Sequence, residues 1–247
     1  MKIIGFIPAR LKSTRLPEKL LRPIMGKPLI QYVYENAKRI KILDALYVAT
    51  DSKKIKAIVE KAGCSVIMTS PDCASGTERV VEALKKIKTG KNDIIVNIQG
   101  DEPALEPGNV ALAIKALVQN LNCDVATLAV KIKNMKDLAD KAAVKVVLDN
   151  DNVALYFSRA QVPCDRDVRN EKPEHAYKHV GLYVYRKKVL AVWKTLKSKY
   201  EHIEKLEQLR LVENGYKIKV IIVKSASIGI DTIQDFESFK KRIENES

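Results

Sequence analysis

Residues 2–21, KIIGFIPARLKSTRLPEKLL, constrain the fold more than any other stretch of the chain. Ile3, Ile4, Phe6 and Ile7 form an apolar run with the length and β-branched content of a strand buried on both faces. The chain then turns polar and carries Arg10, Lys12, Arg15 and Lys19 before a helical pattern begins near Pro28. A hydrophobic strand running into a basic loop is how an α/β protein presents cations at the carboxyl end of its sheet, where ligands usually bind. Cations this closely spaced suit a polyanion, with a nucleoside triphosphate the obvious candidate. Charge alone fits a solvated surface loop equally well. Pro17 stiffens the turn, and Ser13 and Thr14 add hydroxyls. No G-x-x-x-x-G-K-[ST] occurs, so side chains must supply much of the charge around a phosphate.

At 247 residues the chain can bury a full core, and a single domain with a subordinate lobe is expected. A hydrophobic fraction of 46% with 30% charged residues excludes a disordered chain. The formal charge of +14 raises nucleic acid as a partner. However, the lysines are scattered through segments such as KAGCSV, KKIKTGK and KTLKSKY, and aromatics are only 6%. That dispersion reads as a Lys-rich surface with a locally basic pocket, not a nucleic-acid stripe. Cys64, Cys73, Cys123 and Cys164 make neither a C-x-x-C nor a zinc spacing, so reduced thiols are the default. The N-terminal apolar run is interrupted by Pro8 and Arg10, which makes it a strand and not a signal segment. No run approaches transmembrane length, so a cytoplasmic protein with no membrane insertion is expected.

Strand and helix signals alternate through the first half. Leu29, Ile30, Val33, Ala37 and Ile40 recur with helical spacing, and Ala45–Ala49 reads as a strand. Thr50-Asp51-Ser52 follows as a turn and N-cap, leading into a helix that Gly63 stops. Cys64–Met68 is another strand. Ser75 and Glu78 then have capping-box spacing ahead of a helix carrying Val80, Val81, Leu84 and Ile87. This is the pattern of a parallel sheet flanked by helices.

NDIIVNIQGD, Asn92–Asp101, is the second informative element. Its strand, Ile94–Ile98, ends in Gln99-Gly100-Asp101-Glu102-Pro103, and Gly100 permits a tight turn that brings Asp101 out at the sheet's carboxyl end. A carboxylate beside a polyphosphate repels it unless a hard cation lies between. Mg²⁺ is therefore implied, since it takes a few carboxylates together with phosphate oxygens.

Helix Val110–Val118 and strand Val125–Val130 continue the alternation, after which the pattern changes. Val144–Leu148 and Leu155–Phe157 read as sheet without an intervening helix, separated by the turn Asp149-Asn150-Asp151-Asn152. Residues 144–186 read as an inserted lobe within one 1–247 domain, because no linker composition sets them off. Arg159 lies just past a strand, and a guanidinium can grip a carboxylate through two parallel hydrogen bonds. In KHVGLYVYR, His179, Gly181, Tyr183 and Tyr185 alternate with Val180, Leu182 and Val184, giving one polar and one apolar strand face. Val189–Leu196 reads as helix, and so does Lys205–Asn214, with Leu206, Leu209 and Val212 inward and Gly215 as stop. Glu207 and Arg210 have the spacing of an exposed ion pair. Tyr216–Val223 is a strand, and Asp235 suits the N-terminus of a last amphipathic helix.

Five separated motifs, in order, resemble the CMP-Kdo synthetases, the 3-deoxy-manno-octulosonate cytidylyltransferase family. They are IPAR-x-x-STRLP-x-K, SGTER, QGDEP, H-x-G-x-Y-x-Y-R and LEQLR, with Asp231 beyond them. The resemblance implies a three-layer, Rossmann-like α/β fold with a mostly parallel sheet and a small sheet-containing insertion for the sugar and the dimer. It implies transfer of CMP from CTP to Kdo with release of pyrophosphate, for lipopolysaccharide synthesis, by a homodimer. Pro8, Ala9, Arg10, Ser13, Arg15, Lys19, Ser75 and Gly76 then correspond to the nucleotide site, with Arg10, Arg15 and Lys19 neutralising the triphosphate. Asp101 and Asp231 correspond to the Mg²⁺ ligands, and Gln99, Arg159, His179, Tyr183, Glu207 and Gln208 to the sugar-acid site. Ala160, Gln161 and Cys164 depart from the family wording, which leaves an amino-substituted Kdo open as the acceptor. A basic nucleic-acid-binding α/β protein is the alternative from a different class.

Overall fold

The opening apolar run forms β1 (Ile3–Ala9), in which Phe6, Ile7 and Ala9 are fully buried. The structure is a computed structural model, and it describes residues 1–11, 16–166, 173–225, 227 and 229–245. The chain divides into two compact units, Met1–Ala111 with Ser227–Ser247, and Leu112–Ala226.

In the first unit, β1 is followed by a short hairpin, β2 (Pro23–Ile24) and β3 (Lys27–Pro28), and by α1 (Leu29–Ala37). β4 (Ala45–Thr50), α2 (Lys53–Lys61), β5 (Ser65–Met68), α3 (Gly76–Leu84) and β6 (Ile94–Asn97) complete the alternation. β1 pairs in parallel with β6 on one side and β4 on the other, and β4 pairs in parallel with β5. The apolar runs are continuous because both faces of these strands are covered: Ile7, Val48, Ile94, Ile95 and Val96 have no exposed surface. Ser52 caps α2 by accepting from the Ile55 N–H, and Gly63 ends the following turn in the left-handed region at φ 77°.

α4 (Pro107–Gln119) leads into the second unit. There β7 (Val125–Lys131), α5 (Met135–Ala139), β8 (Lys145–Leu148), β9 (Ala154–Ser158) and β10 (Tyr177–Arg186) follow in order. α6 (Lys187–Ala191), α7 (Tyr200–Glu204), α8 (Leu209–Glu213) and β11 (Ile218–Val223) come next. β7 is flanked by β11 in parallel and β10 antiparallel, and β8 pairs antiparallel with both β10 and β9. The β8–β9 turn falls at the D-N-D-N signal, where Asp149 Oδ1 accepts from the N–H groups of Asp151 (2.9 Å) and Val153 (2.7 Å). Residues 144–186 are thus one part of the larger 112–226 unit. α9 (Ile233–Asn245) belongs to the first unit.

Two helical expectations need correction. Lys205–Asn214 is not one helix, because Lys205 adopts the left-handed conformation (φ 54°) that terminates α7, and helix resumes only at Leu209. Glu207 and Gln208 therefore sit in the turn between two short helices. Val189–Leu196 likewise breaks into α6 and a single 3₁₀ turn at Trp193–Thr195.

Candidate active site

The loop after β6 is held against the end of β1 by backbone contacts. Ile98 N–H donates to the Phe6 carbonyl at 2.9 Å. Gly100 then lies so near β1 that a Cβ there would stand 2.6 Å from the Pro8 carbonyl oxygen. Only glycine fits this approach, and its consequence is the position of Asp101. The Asp101 carbonyl accepts from Ile230 N–H at 2.9 Å, which clips on the segment carrying Asp231. Asn36 of α1 fixes the far side of the loop by donating to the carbonyls of Pro103 (3.1 Å) and Leu105 (2.5 Å).

Lys19, at the start of a 3₁₀ turn, is buried and reaches into this junction. Its Nζ donates to Asp101 Oδ2 at 2.7 Å, to the Ile230 carbonyl at 2.5 Å and to Asp231 Oδ1 at 3.4 Å. The two aspartates therefore converge on one positive charge. Every partner is a hard oxygen, and two carboxylates leave room for water and phosphate oxygens, which is the ligand set a hard divalent cation takes. Among the described residues no three His, Cys, Asp or Glu side chains are grouped as a metal-ligand cluster, so a metal here would need oxygens from its substrate.

Glu102, given no role from the sequence, is buried beside them. Burial, and then the charges of Asp101 and Asp231, push its carboxyl up to about 7, against the hydrogen bond it accepts from Ser227 Oγ at 3.0 Å. Asp235 caps α9: burial raises its pKa, but the hydrogen bonds from Thr232 and from the Asp231 N–H outweigh that and hold it below the usual range.

Of the other residues read as nucleotide-binding, Ala9 is buried at the end of β1 and Arg10 is exposed just beyond it. Ser13 and Arg15 lie outside the described residues. Ser75 caps α3 by accepting from Glu78 N–H at 3.2 Å, while Glu78 accepts from the Ala74 N–H at 3.1 Å, one residue before the position a capping box uses. Gly76 lies against Pro8, whose ring carbon would stand 3.4 Å from an added Cβ. Arg79 of the same motif is a buried strut. It donates to Thr69 Oγ1 (2.5 Å) and pairs with Asp51 Oδ2 (3.3 Å), tying together the segments that follow β4 and β5.

In the second unit His179 and Tyr183 stand together on β10. Their ring centroids are 5.3 Å apart, in a column that runs Phe157, His179, Tyr183, Tyr185, Trp193. A bulge between Val180 and Tyr183 breaks the alternation expected along this strand, and Thr127 of β7 fills it. Its hydroxyl donates to the Leu182 carbonyl at 2.6 Å, so His179 Nε2, 2.9 Å away, is the donor to Thr127. Desolvation holds the His179 imidazole down at about 3, which keeps it neutral. Burial, and then neighbouring Tyr185 and Glu207, raise the Tyr183 phenol well above its ordinary value. Glu207 thus lies near enough to Tyr183 for its charge to act on the phenol, and Gln208 is buried next to it in the chain. Gln99 is half-buried in the first unit.

Arg159 is braced where β9 ends. Its Nε donates to the Glu204 carbonyl (2.8 Å), its Nη1 to the Lys141 carbonyl (3.0 Å), and its own N–H to Glu204 Oε2 (2.9 Å). Among the described residues Nη2 has no hydrogen-bond partner. Lys145, fully buried, donates to the Arg159 carbonyl at 2.8 Å and to those of Asp140 (2.8 Å) and Ala143 (2.6 Å). The Glu207–Arg210 pair read from spacing does not form. Arg210 instead makes a bidentate contact with Glu201 (2.6 and 2.9 Å) and stacks 5.0 Å over Trp193. Glu204, Lys145 and Thr127 were missed because a lone charged or hydroxyl residue carries no signal of its three-dimensional partners.

A cytidylyltransferase family model matches residues 4–219. An 8-amino-3,8-dideoxy-manno-octulosonate cytidylyltransferase from Shewanella sp. (strain ANA-3) is 42% identical over 245 residues, 98% of this chain and 99% of that protein. The protein of that name from Shewanella sp. (strain W3-18-1) is 43% identical over the same share of each chain. Among solved structures, a CMP:2-keto-3-deoxy-manno-octonic acid synthetase complexed with CTP superposes with a TM-score of 0.93 at 38% identity, covering 100% of both chains. The α/β nucleotidyltransferase fold expected from the motifs is therefore the fold the chain adopts. With its family model, its full-length relatives and its fold in agreement, the chain belongs to the cytidylyltransferase family and is a nucleotidyltransferase.

Proposed function

We propose that this enzyme transfers CMP from CTP to the anomeric hydroxyl of a 3-deoxy-manno-octulosonate, releasing pyrophosphate, and that Mg²⁺ is its divalent cation. The observation that carries the reading is whole-chain similarity to a synthetase solved with CTP, joined to two carboxylates that converge on one cation site. The 8-amino form of the acid is the favoured acceptor, because the relatives at 42% and 43% identity carry that name. Ala160, Gln161 and Cys164 are all exposed and are the positions where the sequence departs from the Kdo wording.

In this mechanism the anomeric hydroxyl attacks the α-phosphorus in line as pyrophosphate leaves. Asp101 and Asp231 would hold the divalent ion, which supplies charge neutralisation and Lewis-acid orientation of the α-phosphate. Arg10, Arg15 and Lys19 meet the negative charge of the triphosphate and the charge growing on the leaving group. Pro8, Ala9, Ser13, Ser75 and Gly76 line the nucleotide. On the acceptor side, Arg159 offers Nη2 to the sugar carboxylate, and His179, Tyr183, Glu207, Gln208 and Gln99 contact the hydroxyls. A neutral His179 suits that task, since it can hydrogen-bond a hydroxyl without drawing the substrate carboxylate away from Arg159. A cytoplasmic homodimer belongs to the same proposal.

Pyrophosphate release from each nucleoside triphosphate, with Kdo and with 8-amino-Kdo, tests the reading. CTP should be used far better than other triphosphates, release should require the sugar acid, and kcat/KM should be higher for the amino form. Higher kcat/KM for Kdo would reassign the acceptor. Sugar-independent hydrolysis of any triphosphate would remove the transfer reaction itself.

A further inference from the structure

A divalent cation and the Lys19 ammonium compete for the same oxygens. Lys19 Nζ lies 2.7 Å from Asp101 Oδ2 and 3.4 Å from Asp231 Oδ1, the two carboxylates proposed to hold the metal. A magnesium ion takes its carboxylate oxygens at about 2.0–2.1 Å, so one bound to Asp101 would stand within roughly 5 Å of the ammonium. The lysine is buried, and repulsion between cations there is screened much less than at the surface. Lys19 is also anchored: its third partner is the Ile230 carbonyl at 2.5 Å, and Ile230 N–H is bonded in turn to the Asp101 carbonyl at 2.9 Å. The anchor and the aspartate therefore move as one piece. The local charges agree with this arrangement, since Asp101 and Asp231 stand close to each other and to buried Glu102 with Lys19 as the cation among them.

We infer that Lys19 is the resident counter-cation of the Asp101–Asp231 pair, and that the divalent ion enters this pair only together with the nucleotide. The triphosphate gives the displaced ammonium a new anion to meet, so the lysine leaves the carboxylates as the metal arrives. Lys19 thus does more than neutralise the triphosphate. It keeps the site closed to free metal, and it couples metal loading to nucleotide loading. The inference rests on the proposed cytidylyl-transfer reading for its assignment of Asp101 and Asp231.

Titration of the full-length protein with Mn²⁺ alone, followed by electron paramagnetic resonance without nucleotide or sugar, tests it. Wild type and Lys19→Arg, which keep a cation in place, should bind Mn²⁺ weakly. Lys19→Met should bind it roughly tenfold or more tightly, because a buried competing charge has been removed. That gain should vanish in the Lys19→Met, Asp101→Asn double variant, which locates the extra ion on this pair. With a non-hydrolysable CTP analogue present, the difference between wild type and Lys19→Met should shrink. Lys19→Gln, which retains a donor for the Ile230 carbonyl, serves the same purpose if Lys19→Met does not fold. Wild type that binds Mn²⁺ without nucleotide as tightly as the uncharged variants overturns the inference, and so does any weakening in those variants. Either outcome leaves the transfer reaction itself standing, since that is judged by pyrophosphate release.

Discussion

Gly100 approaches Pro8 so closely that the glycine's missing side chain sets the position of Asp101. A Cβ at Gly100 would lie 2.6 Å from the Pro8 carbonyl oxygen, a distance real Cβ atoms do not adopt. The contact is with backbone, which cannot rotate away as a flexible side chain would. Gly100→Ala should therefore shift the Gln99–Glu102 loop off β1. Overpacking of this kind costs about 1–3 kcal/mol, readable as a lowered urea midpoint. Turnover should fall by more than the stability loss explains at a temperature where the variant is fully folded. Unchanged turnover would mean that the loop does not have to abut β1 for chemistry.

Arg159→Ala should raise the KM for the sugar acid while leaving the KM for CTP nearly unchanged. Losing a charged hydrogen-bond partner in a desolvated site costs on the order of 2–5 kcal/mol. Because Arg159 also braces the Glu204 and Lys141 carbonyls, a thermal melt should accompany the kinetics. Weakened CTP use with normal sugar use would show that Arg159 is on the wrong side of the reaction.

Against the opposite contribution of Glu102, His179 should contribute a loss of stability as pH falls below 6.5. Its folded-state pKa of about 3 lies below the ordinary 6.5, so the unfolded chain takes up the proton first. The stability contributed by the neutral ring is intact above pH 6.5 and is lost as pH falls toward 3. The residue is only half-buried, so the loss between pH 7.5 and pH 5 is discounted to about 1 kcal/mol. Phe157, Tyr183 and Thr127 face the ring, and none of them titrates in that interval. Protonation of buried Glu102, raised to about 7, stabilises the fold over the same interval. The His179 part is therefore read as the difference between wild type and His179→Gln in how the urea midpoint changes from pH 7.5 to pH 5, with the variant losing less or gaining more. The same change in both proteins would show that His179 is not the group that costs stability in acid.

The first unit was legible in the sequence because its signals are local. β1, β4, β5 and β6 are continuous apolar runs, and Ser52, Gly63 and Ser75 mark helix ends by residue type alone. The residues after β6 were legible for the same reason, since Gly100 and Asp101 directly follow a strand. What could not be read was pairing across long separations. Lys19 meets a carbonyl 211 residues away, and Arg159 meets Glu204 across 45. The break at Lys205 escaped because a lysine in the left-handed region has no compositional mark, unlike the glycines. Thr127 and the bulge it fills were hidden too, because β10 alternates in sequence although its register slips in space.

The account places chemistry at Asp101, and turnover of Asp101→Asn at saturating CTP, sugar acid and Mg²⁺ tests that most directly. The change is nearly isosteric and leaves the backbone bond from Ile230 to the Asp101 carbonyl intact. It removes the carboxylate paired with buried Lys19, however, so the melting temperature should fall and turnover is compared well below it, where the variant is folded. The carboxylate is lost, and with it a ligand to the cation that faces the α-phosphate. A neutral amide is a poor ligand for a hard divalent ion. The account predicts a folded protein that still binds CTP and whose pyrophosphate release falls by roughly a thousandfold, the scale of losing a main electrostatic stabiliser of the transition state. Turnover near the wild-type rate in a folded variant would contradict it, and would make Asp101 a turn residue that does no more than partner Lys19.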